Sequence, residues 1–397
     1  MSDIFKESLE KHLQWKGKIT TTLKSPLKTT HDLALAYSPG VAQPCREIAK
    51  DKDKVYDYTW KQSTVAVISD GTAVLGLGDI GPEAALPVME GKCALFKSFG
   101  GVDAIPICLD TKDTQELIAM CKALAPSFGG FNLEDIAAPK CVEIERTLKR
   151  ELDIPVFHDD QHGTAIVVIA GLINALKLVN KKPEDIKVVV SGVGAAGSSI
   201  IFMLRDFGVK RIYGFKRSGT INKRFKDKYD FLAQEICEIV NPDDSEKTMA
   251  QEMVGADVFI GVSVGNIVTK DMIASMNQGA IVFALANPDP EIPYDDALEA
   301  GAAIVGTGRS DFPNQVNNVL AFPGLFKGAL ACRASAITEA MKMAAARGIA
   351  SLISEEDLRP DHVIPSPFDE NVAKVVAQAV IDEAIRSNIA KIADRVK

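Results

Sequence analysis

Residues 187–208 read KVVVSGVGAAGSSIIFMLRDFG. A β-branched run passes directly into Gly192-Val193-Gly194-Ala195-Ala196-Gly197 and from there into an apolar, helix-forming segment. The first glycine permits a tight turn, the second lets backbone N–H groups approach a pyrophosphate, and the third lets the helix pack closely on the strand. A second short strand, Ile212–Phe215, follows at the distance expected of a βαβ unit. The stretch therefore reads as a dinucleotide-binding turn, with Gly192, Gly194, Ala195, Ala196 and Gly197 around the cofactor; a purely structural glycine turn is the alternative. Where an NAD-binding unit usually ends its second strand on a carboxylate, this chain has Lys216-Arg217. Two cations suit a 2′-phosphate, so NADP is the expected cofactor, against the blander reading of a solvated basic turn.

Outward from this loop, strand and helix patterns alternate on both sides. Upstream lie Thr64–Ser69, a second predicted strand over 73–81, Asp103–Leu109, a helix over 114–125, Gly130–Ile136, a helix over 141–151 and Ile154–Phe157. A helix is predicted from about Gly163 to Val179, and after Ile186–Val190 and Ile212–Phe215 come Val258–Gly261, Ala280–Ala284 and Ala303–Val305. Such alternation implies α/β architecture with parallel sheets. The fold class expected is an N-terminal α/β substrate and metal domain over 1–162, a Rossmann-type doubly wound dinucleotide-binding domain over 163–310, and a helical C-terminal segment over 311–397 that completes the site.

Composition narrows the function. The chain has 397 residues, a formal charge of −8, 47% hydrophobic and 25% charged residues, which fits an ordinary globular protein and excludes a disordered, collagen-like or disulfide-built one. No long basic run offsets the acidic balance, so a nucleic-acid partner is not expected. Seven cysteines (45, 93, 108, 121, 141, 237 and 332) lie scattered through apolar stretches without a Cys-x-x-Cys pair and read as reduced thiols. The start, MSDIFKESLEKH, resembles neither a secretory signal nor a transit peptide. The longest strongly apolar stretch falls short of the ~20 residues of a membrane span. A cytoplasmic location without a membrane partner is expected.

Two acidic pairs stand just past apolar runs: Glu134-Asp135 in FNLEDIAAP and Asp159-Asp160 in the short loop VFHDDQHGTA. Both would lie at strand ends bordering a cleft, and oxygen ligands favour Mg²⁺ or Mn²⁺ over zinc. Taken alone, either pair could be a solvated helix start. His158 and His162 flank the aspartates but lack a zinc motif, so supporting roles suit them better.

Together these segments resemble the malic enzymes, specifically the shorter type of bacteria and some unicellular eukaryotes. The resemblance runs from Tyr37 to at least Gly328 and rests on Tyr37-Ser38-Pro39-Gly40-Val41-Ala42, VLGLGDIGPEAALPVMEGKCALFK, NLEDI, FHDDQHGTA, the dinucleotide loop, ALANPDPEI and GTGRSDFPNQVNNVLAFPG. It implies oxidative decarboxylation of malate to pyruvate and CO₂ with reduction of NADP, assisted by Mg²⁺ or Mn²⁺, in a homodimer or dimer of dimers. By position it assigns Tyr37 as the acid that protonates the enol, Lys92 as the general base and Asp159 as the residue beside it. Glu134, Asp135 and Asp160 would hold the metal. Asn287, Asn317 and Asn318 would hold malate, and Asn287 would also border the cofactor. A lysine serves as base only if its pKa falls well below ~10.4, through burial and neighbouring positive charge. In larger malic enzymes an arginine follows the Asp-Gly before the glycine-rich segment and binds a substrate carboxylate; here the sequence is Asp70-Gly71-Thr72-Ala73. Backbone amides near Ser38–Val41 are the expected substitute. Two rival functions are an NADP-linked dehydrogenase without decarboxylation, of the methylenetetrahydrofolate or amino-acid type, and a non-catalytic NADP-sensing module.

Overall fold

The computed structural model describes Ser2–Ile392 and contains two largely parallel sheets. The first is built from β1 (Thr64–Ser69), β2 (Asp103–Cys108), β3 (Gly130–Leu133) and β4 (Val156–His158), in the order β2-β1-β3-β4. The second takes β5 (Lys187–Ser191), β6 (Arg211–Lys216), β7 (Gly219–Thr220), β8 (Val258–Gly261), β9 (Ile281–Ala284) and β10 (Ile304–Thr307), in the order β10-β9-β8-β5-β6-β7. β7 alone runs antiparallel. Every residue of β1 is buried, as expected of a central parallel strand covered on both faces, which needs a continuous apolar run rather than alternation.

Each sheet reverses its winding beside its first strand. In the second sheet β6 and β8 flank β5, so the crevice falls at the carboxyl ends of β5 and β8, where the glycine loop begins. In the first sheet β2 and β3 flank β1, and the carboxyl ends of β3 and β4 deliver Glu134-Asp135 and Asp159-Asp160 side by side.

Three expectations shift. The segment 73–81 is not a strand but a loop around a short 3₁₀ turn, Leu75–Leu77, because Gly71, Gly78 and Gly81 adopt φ of 69°, 77° and 85°, outside the extended region. Asp159-Asp160 do not lie in a loop: the helix expected from Gly163 begins at Asp159 and runs to Leu178. The boundary drawn between 162 and 163 therefore falls within a helix. This helix is also long and apolar enough by composition to cross a membrane, but 72% of that window is buried inside the protein, where it is a core element.

The C-terminal helices Phe322–Ala331, Glu339–Ser351 and Val372–Arg386 do not form a separate layer. Phe322 and Phe326 meet Phe96 with ring centroids 4.7 and 5.4 Å apart, and Phe326 meets Phe157 at 6.0 Å. One hydrophobic core thus runs from Val65 and Met89 under the first sheet, through Ile166–Ala170, to Val188 and Ile260 in the second. All seven cysteines are unpaired, and Cys45 is the exposed one. Phe326, with no exposed surface, joins three of these pieces; Phe326→Ala should cost about 3–5 kcal/mol, measured by denaturant unfolding.

Candidate active site

Lys92 lies in the last turn of the helix Pro82–Leu95 and is 7% exposed. Its Nζ stands 2.6 Å from Asp159 Oδ2 and 2.9 Å from Glu134 Oε1, and 4.4 Å from the centre of the Phe322 ring. Asp159 Oδ2 also accepts from Asn318 Nδ2 at 2.5 Å, and Glu134 Oε2 accepts from Asn132 Nδ2 at 2.7 Å. The cluster thus draws on the Lys92 helix, the end of β3, the start of the Asp159 helix and the segment entering the C-terminal helices. Asp159 fits because residue 163 is glycine: a Cβ there would lie 1.9 Å from Asp159 Oδ1.

Burial raises Glu134 well above the carboxylate range against the pull of Lys92, and lifts Asp159 to about 6. Lys92 departs from the sequence expectation. Burial disfavours its charge, but Asp159 and Glu134 outweigh burial and hold the ammonium above its ordinary value. The groups that reach Nζ are carboxyls, not the cations that would acidify it.

Glu134, Asp135 and Asp160 each present an oxygen, all within 4.8 Å of one another. Asp160 Oδ2 accepts from the Asp135 backbone N–H at 2.8 Å. Asp135 sits at φ 53°, a left-handed conformation that Asp tolerates better than most residues. A compact, partly buried all-oxygen set of this kind fits Mg²⁺ or Mn²⁺. The histidines diverge. His158 is buried, with Nδ1 3.9 Å from Asp160, whereas His162 turns to Glu145 through Nε2 at 2.8 Å and to Lys342 through Nδ1 at 2.9 Å.

Other sequence candidates separate in the structure. Of the asparagine pair, Asn318 enters the lysine cluster, while the Asn317 side chain accepts from Val319 N–H at 3.0 Å and caps its own turn. Asn287 Nδ2 donates to Leu285 O at 3.2 Å, beside the glycine-rich loop, where a Cβ on Gly76 would stand 3.4 Å from Asn287 O. Tyr37 ends the helix Thr30–Ala36 and is 69% exposed. Among the described residues, this phenol does not share the buried environment of Lys92. The amides of Gly40 and Val41 donate to Ala34 O and Tyr37 O, so they close their own turn and are not available as a carboxylate anchor. Thr72, where an arginine was missed, donates to Asp70 Oδ1 at 2.6 Å, and Lys140 pairs with the same carboxylate.

The glycine loop matches its expected geometry. Gly192 adopts φ 96°, and a Cβ there would lie 2.5 Å from Val262 O. A Cβ on Gly197 would lie 2.1 Å from Gly192 O, whereas nothing stands within 4 Å of one on Gly194. Ala195 and Ala196 open the helix Ala195–Phe207, whose N-terminus favours an anion. A cavity of about 1140 Å³, lined in part by Gly192, Lys216, Arg217 and Ser263, opens beside it. The end of β6, where the sequence offers Lys216-Arg217 in place of a carboxylate, is nevertheless supplied with one from elsewhere in the chain: Lys216 Nζ lies 2.8 Å from Asp230 Oδ2. Asp230 is brought back as the cap of the helix Phe231–Ile236.

Residues 16–149 match the malic enzyme N-terminal domain, and residues 161–385 match the malic enzyme NAD binding domain. The chain belongs to the malic enzyme family. Among its relatives, the bifunctional malic/malolactic enzyme of Bacillus subtilis (strain 168) is 55% identical over 386 residues, 97% of this chain and 94% of that protein. The NAD-dependent malic enzyme of Geobacillus stearothermophilus is 55% identical over 94% of this chain and 78% of its own length. The crystal structure of the malic enzyme from Pyrococcus horikoshii Ot3 has a TM-score of 0.92 at 45% identity, covering 96% of this chain and 92% of that one. The family's two-domain α/β fold is thus the fold of this chain.

Sequence reading missed Glu145, Lys342, Asp230 and Gly163. Glu145 and Lys342 carried a local signal, as charged residues on the buried faces of their helices, the first with Val142 and Leu148 and the second with Ala345 and Ile349. Gly163→Ala should displace the Asp159 carboxylate and lower kcat roughly a hundredfold. The melting temperature and the KM for dinucleotide should stay near wild type; unchanged kcat would show that the Asp159 position tolerates the methyl.

Proposed function

We propose that this chain oxidises malate at C2 with a nicotinamide dinucleotide and releases the C4 carboxylate as CO₂, leaving pyruvate. The observation that carries this reading is the buried Lys92 between Asp159 and Glu134, beside the oxygen cluster of Glu134, Asp135 and Asp160. Lys92 Nζ takes the C2 hydroxyl proton as hydride leaves C2 for the nicotinamide; the C3–C4 bond then breaks with loss of CO₂, and the enolate of pyruvate that remains takes a proton at C3 from Tyr37. Asp159 and Asn318 hold Nζ and its surroundings in place, and Phe322 keeps water from it. A divalent ion held by Glu134, Asp135 and Asp160 would supply a Lewis acid for the substrate oxygens and positive charge beside Lys92, favouring its neutral form. A plain dehydrogenase or a nucleotide sensor leaves those carboxylates without a task.

Tyr37, 69% exposed in this chain, is proposed to serve the Lys92 of a second copy. The segment that carries it exposes Phe5 at 73%, Leu9 at 67%, Leu13 at 71% and Leu23 at 72%, an apolar series that marks an association surface. A homodimer in which each copy lends Tyr37 to the other's site accounts for both facts. Malate turnover with Mn²⁺ or Mg²⁺ should yield CO₂ and reduced dinucleotide and stop with EDTA. Tyr37→Phe and Lys92→Ala chains, each nearly inactive, should regain up to about a quarter of wild-type activity when coexpressed, from the one intact site of each mixed dimer. Full activity in EDTA would sink the metal reading, and no recovery on mixing would sink the shared site.

NADP remains the proposed cofactor, with the roles of the two cations revised. Lys216 is engaged by Asp230, so Arg217, exposed on the same cavity wall, is the better partner for a 2′-phosphate. Asp230 could accept from the ribose hydroxyls of NAD, in keeping with the NAD-dependent relative. Arg217→Ala should lower kcat/KM for NADP about tenfold, the effect of roughly 1.4 kcal/mol, and leave NAD within twofold. Asp230→Asn should move the ratio the other way. Equal changes for both dinucleotides would make Lys216-Arg217 a solvated turn.

A further inference from the structure

Glu145 lies on the helix Lys140–Glu151, is 2% exposed, and takes no part in the scheme above. Oε1 accepts from the backbone N–H of His158 at 3.1 Å and stands 2.8 Å from Lys149 Nζ. Oε2 faces His162 Nε2 at 2.8 Å. Its two oxygens therefore grip the residue before the Asp159 helix and the residue in its first turn, with Asp159 and Asp160 between them. That helix start has no side-chain cap, and a helix N-terminus leaves several N–H groups without intrahelical partners. An anchor from outside the helix does here what a cap does elsewhere.

The far side of the clamp is equally determined. Lys342, with no exposed surface, donates to His162 Nδ1 at 2.9 Å and to Glu339 Oε1 at 2.7 Å. An ammonium on Nδ1 requires the proton on Nε2, so His162 is a neutral ring donating to Glu145. Ser199, from the helix that follows the glycine loop, also reaches Nδ1 at 3.3 Å. Neither ring nitrogen is left to bind anything else. The chain Lys342–His162–Glu145 thus has one direction of donation and one tautomer.

We infer that Glu145 is a positioning residue for the reaction: by holding His158 N–H and His162 it sets where the Asp159 helix begins, and with it the Asp159 carboxylate against Lys92 and the Asp160 carboxylate against Glu134 and Asp135. This rests on the metal reading given above. Glu145→Gln keeps the length and an acceptor for His158 N–H. It removes the charge, and the amide must either turn its NH₂ toward His162 Nε2–H or give up His158.

Mn²⁺ binding, read directly from the electron paramagnetic resonance of the free ion without substrate, tests this apart from turnover. The wild type should bind and Asp160→Asn should not. Glu145→Gln should bind at least tenfold more weakly and lose kcat at least tenfold, with the KM for dinucleotide within twofold. Glu252→Gln, which alters another buried carboxylate 2.7 Å from a lysine, should leave Mn²⁺ binding unchanged. If Glu145→Gln does not fold, His162 decides. His162→Gln, which can still donate to Glu145, should keep Mn²⁺ affinity within threefold, and His162→Leu should not. Wild-type affinity in a folded Glu145→Gln, the same loss in Glu252→Gln, or equal affinity in the two His162 variants would overturn the positioning role alone. No Mn²⁺ binding by the wild type, or unchanged binding in Asp160→Asn, would overturn the metal reading and this inference with it.

Discussion

The ammonium of Lys92, taken out of water and set between Asp159 and Glu134, is the constraint on which the rest of the structure depends. Burying an ion pair is expensive unless both partners are held in good geometry with their remaining polar atoms satisfied, and losing one partner of such a pair costs about 3–5 kcal/mol. Each arm of the cluster has a support, although Asp159 Oδ1 is buried without a hydrogen-bond partner. Asn132 holds Glu134, Asn318 holds Asp159, Phe322 covers the ammonium, and Gly163 leaves the room that Asp159 occupies. Those supports come from a strand end, a helix start and the C-terminal segment, so the site forms only when the whole chain has folded around it.

A second buried charge group stands directly behind the first. Burial opposes the charge of Glu145, but His162, Lys149 and Lys342 together keep it well below the usual carboxylate range. Burial also pushes His162 down, to about 4, in agreement with the hydrogen-bond direction that makes it neutral; the charge of Glu145 is therefore balanced by the lysines. The two groups share the Asp159 helix, one on each side of its first turn. What looks in sequence like a run of five polar residues, His158 to His162, is in space a partition between two polar clusters.

Much of the fold was legible because parallel strands announce themselves. β1, β5 and β8 are continuous apolar runs, and the glycine loop after β5 follows a pattern whose steric reasons are local. The start of the Asp159 helix was misjudged for an equally local reason: its apolar face begins only at Ala165, after a first turn of acids and histidine that resembles a loop. Lys92 and Tyr37 were reached through resemblance alone, since an isolated lysine and an isolated tyrosine carry no pattern. The lysine's environment was then misjudged, because which charges meet it depends on strand order. Asp230 was invisible for the same kind of reason, lying fourteen residues beyond Lys216 and returning to it only through a helix cap. Pairings set by tertiary structure leave no trace in spacing.

The Asp159 helix also decides how the two halves of the molecule are mechanically joined. Two-domain enzymes often connect their halves by a flexible strap, which lets one swing against the other. Here the connector is a rod of twenty residues, about 30 Å long, rooted at the edge of the first sheet and embedded in the core of the second. Rotation of the halves about this connection would have to bend the rod or tear it from its packing. The two sheets are therefore joined by a stiff beam whose apolar length is packed into their common core. For the same reason the nucleotide-binding half is not an exchangeable cassette: a graft made at the sheet boundary would carry away the beam, and with it the first turn that bears two of the site's carboxylates.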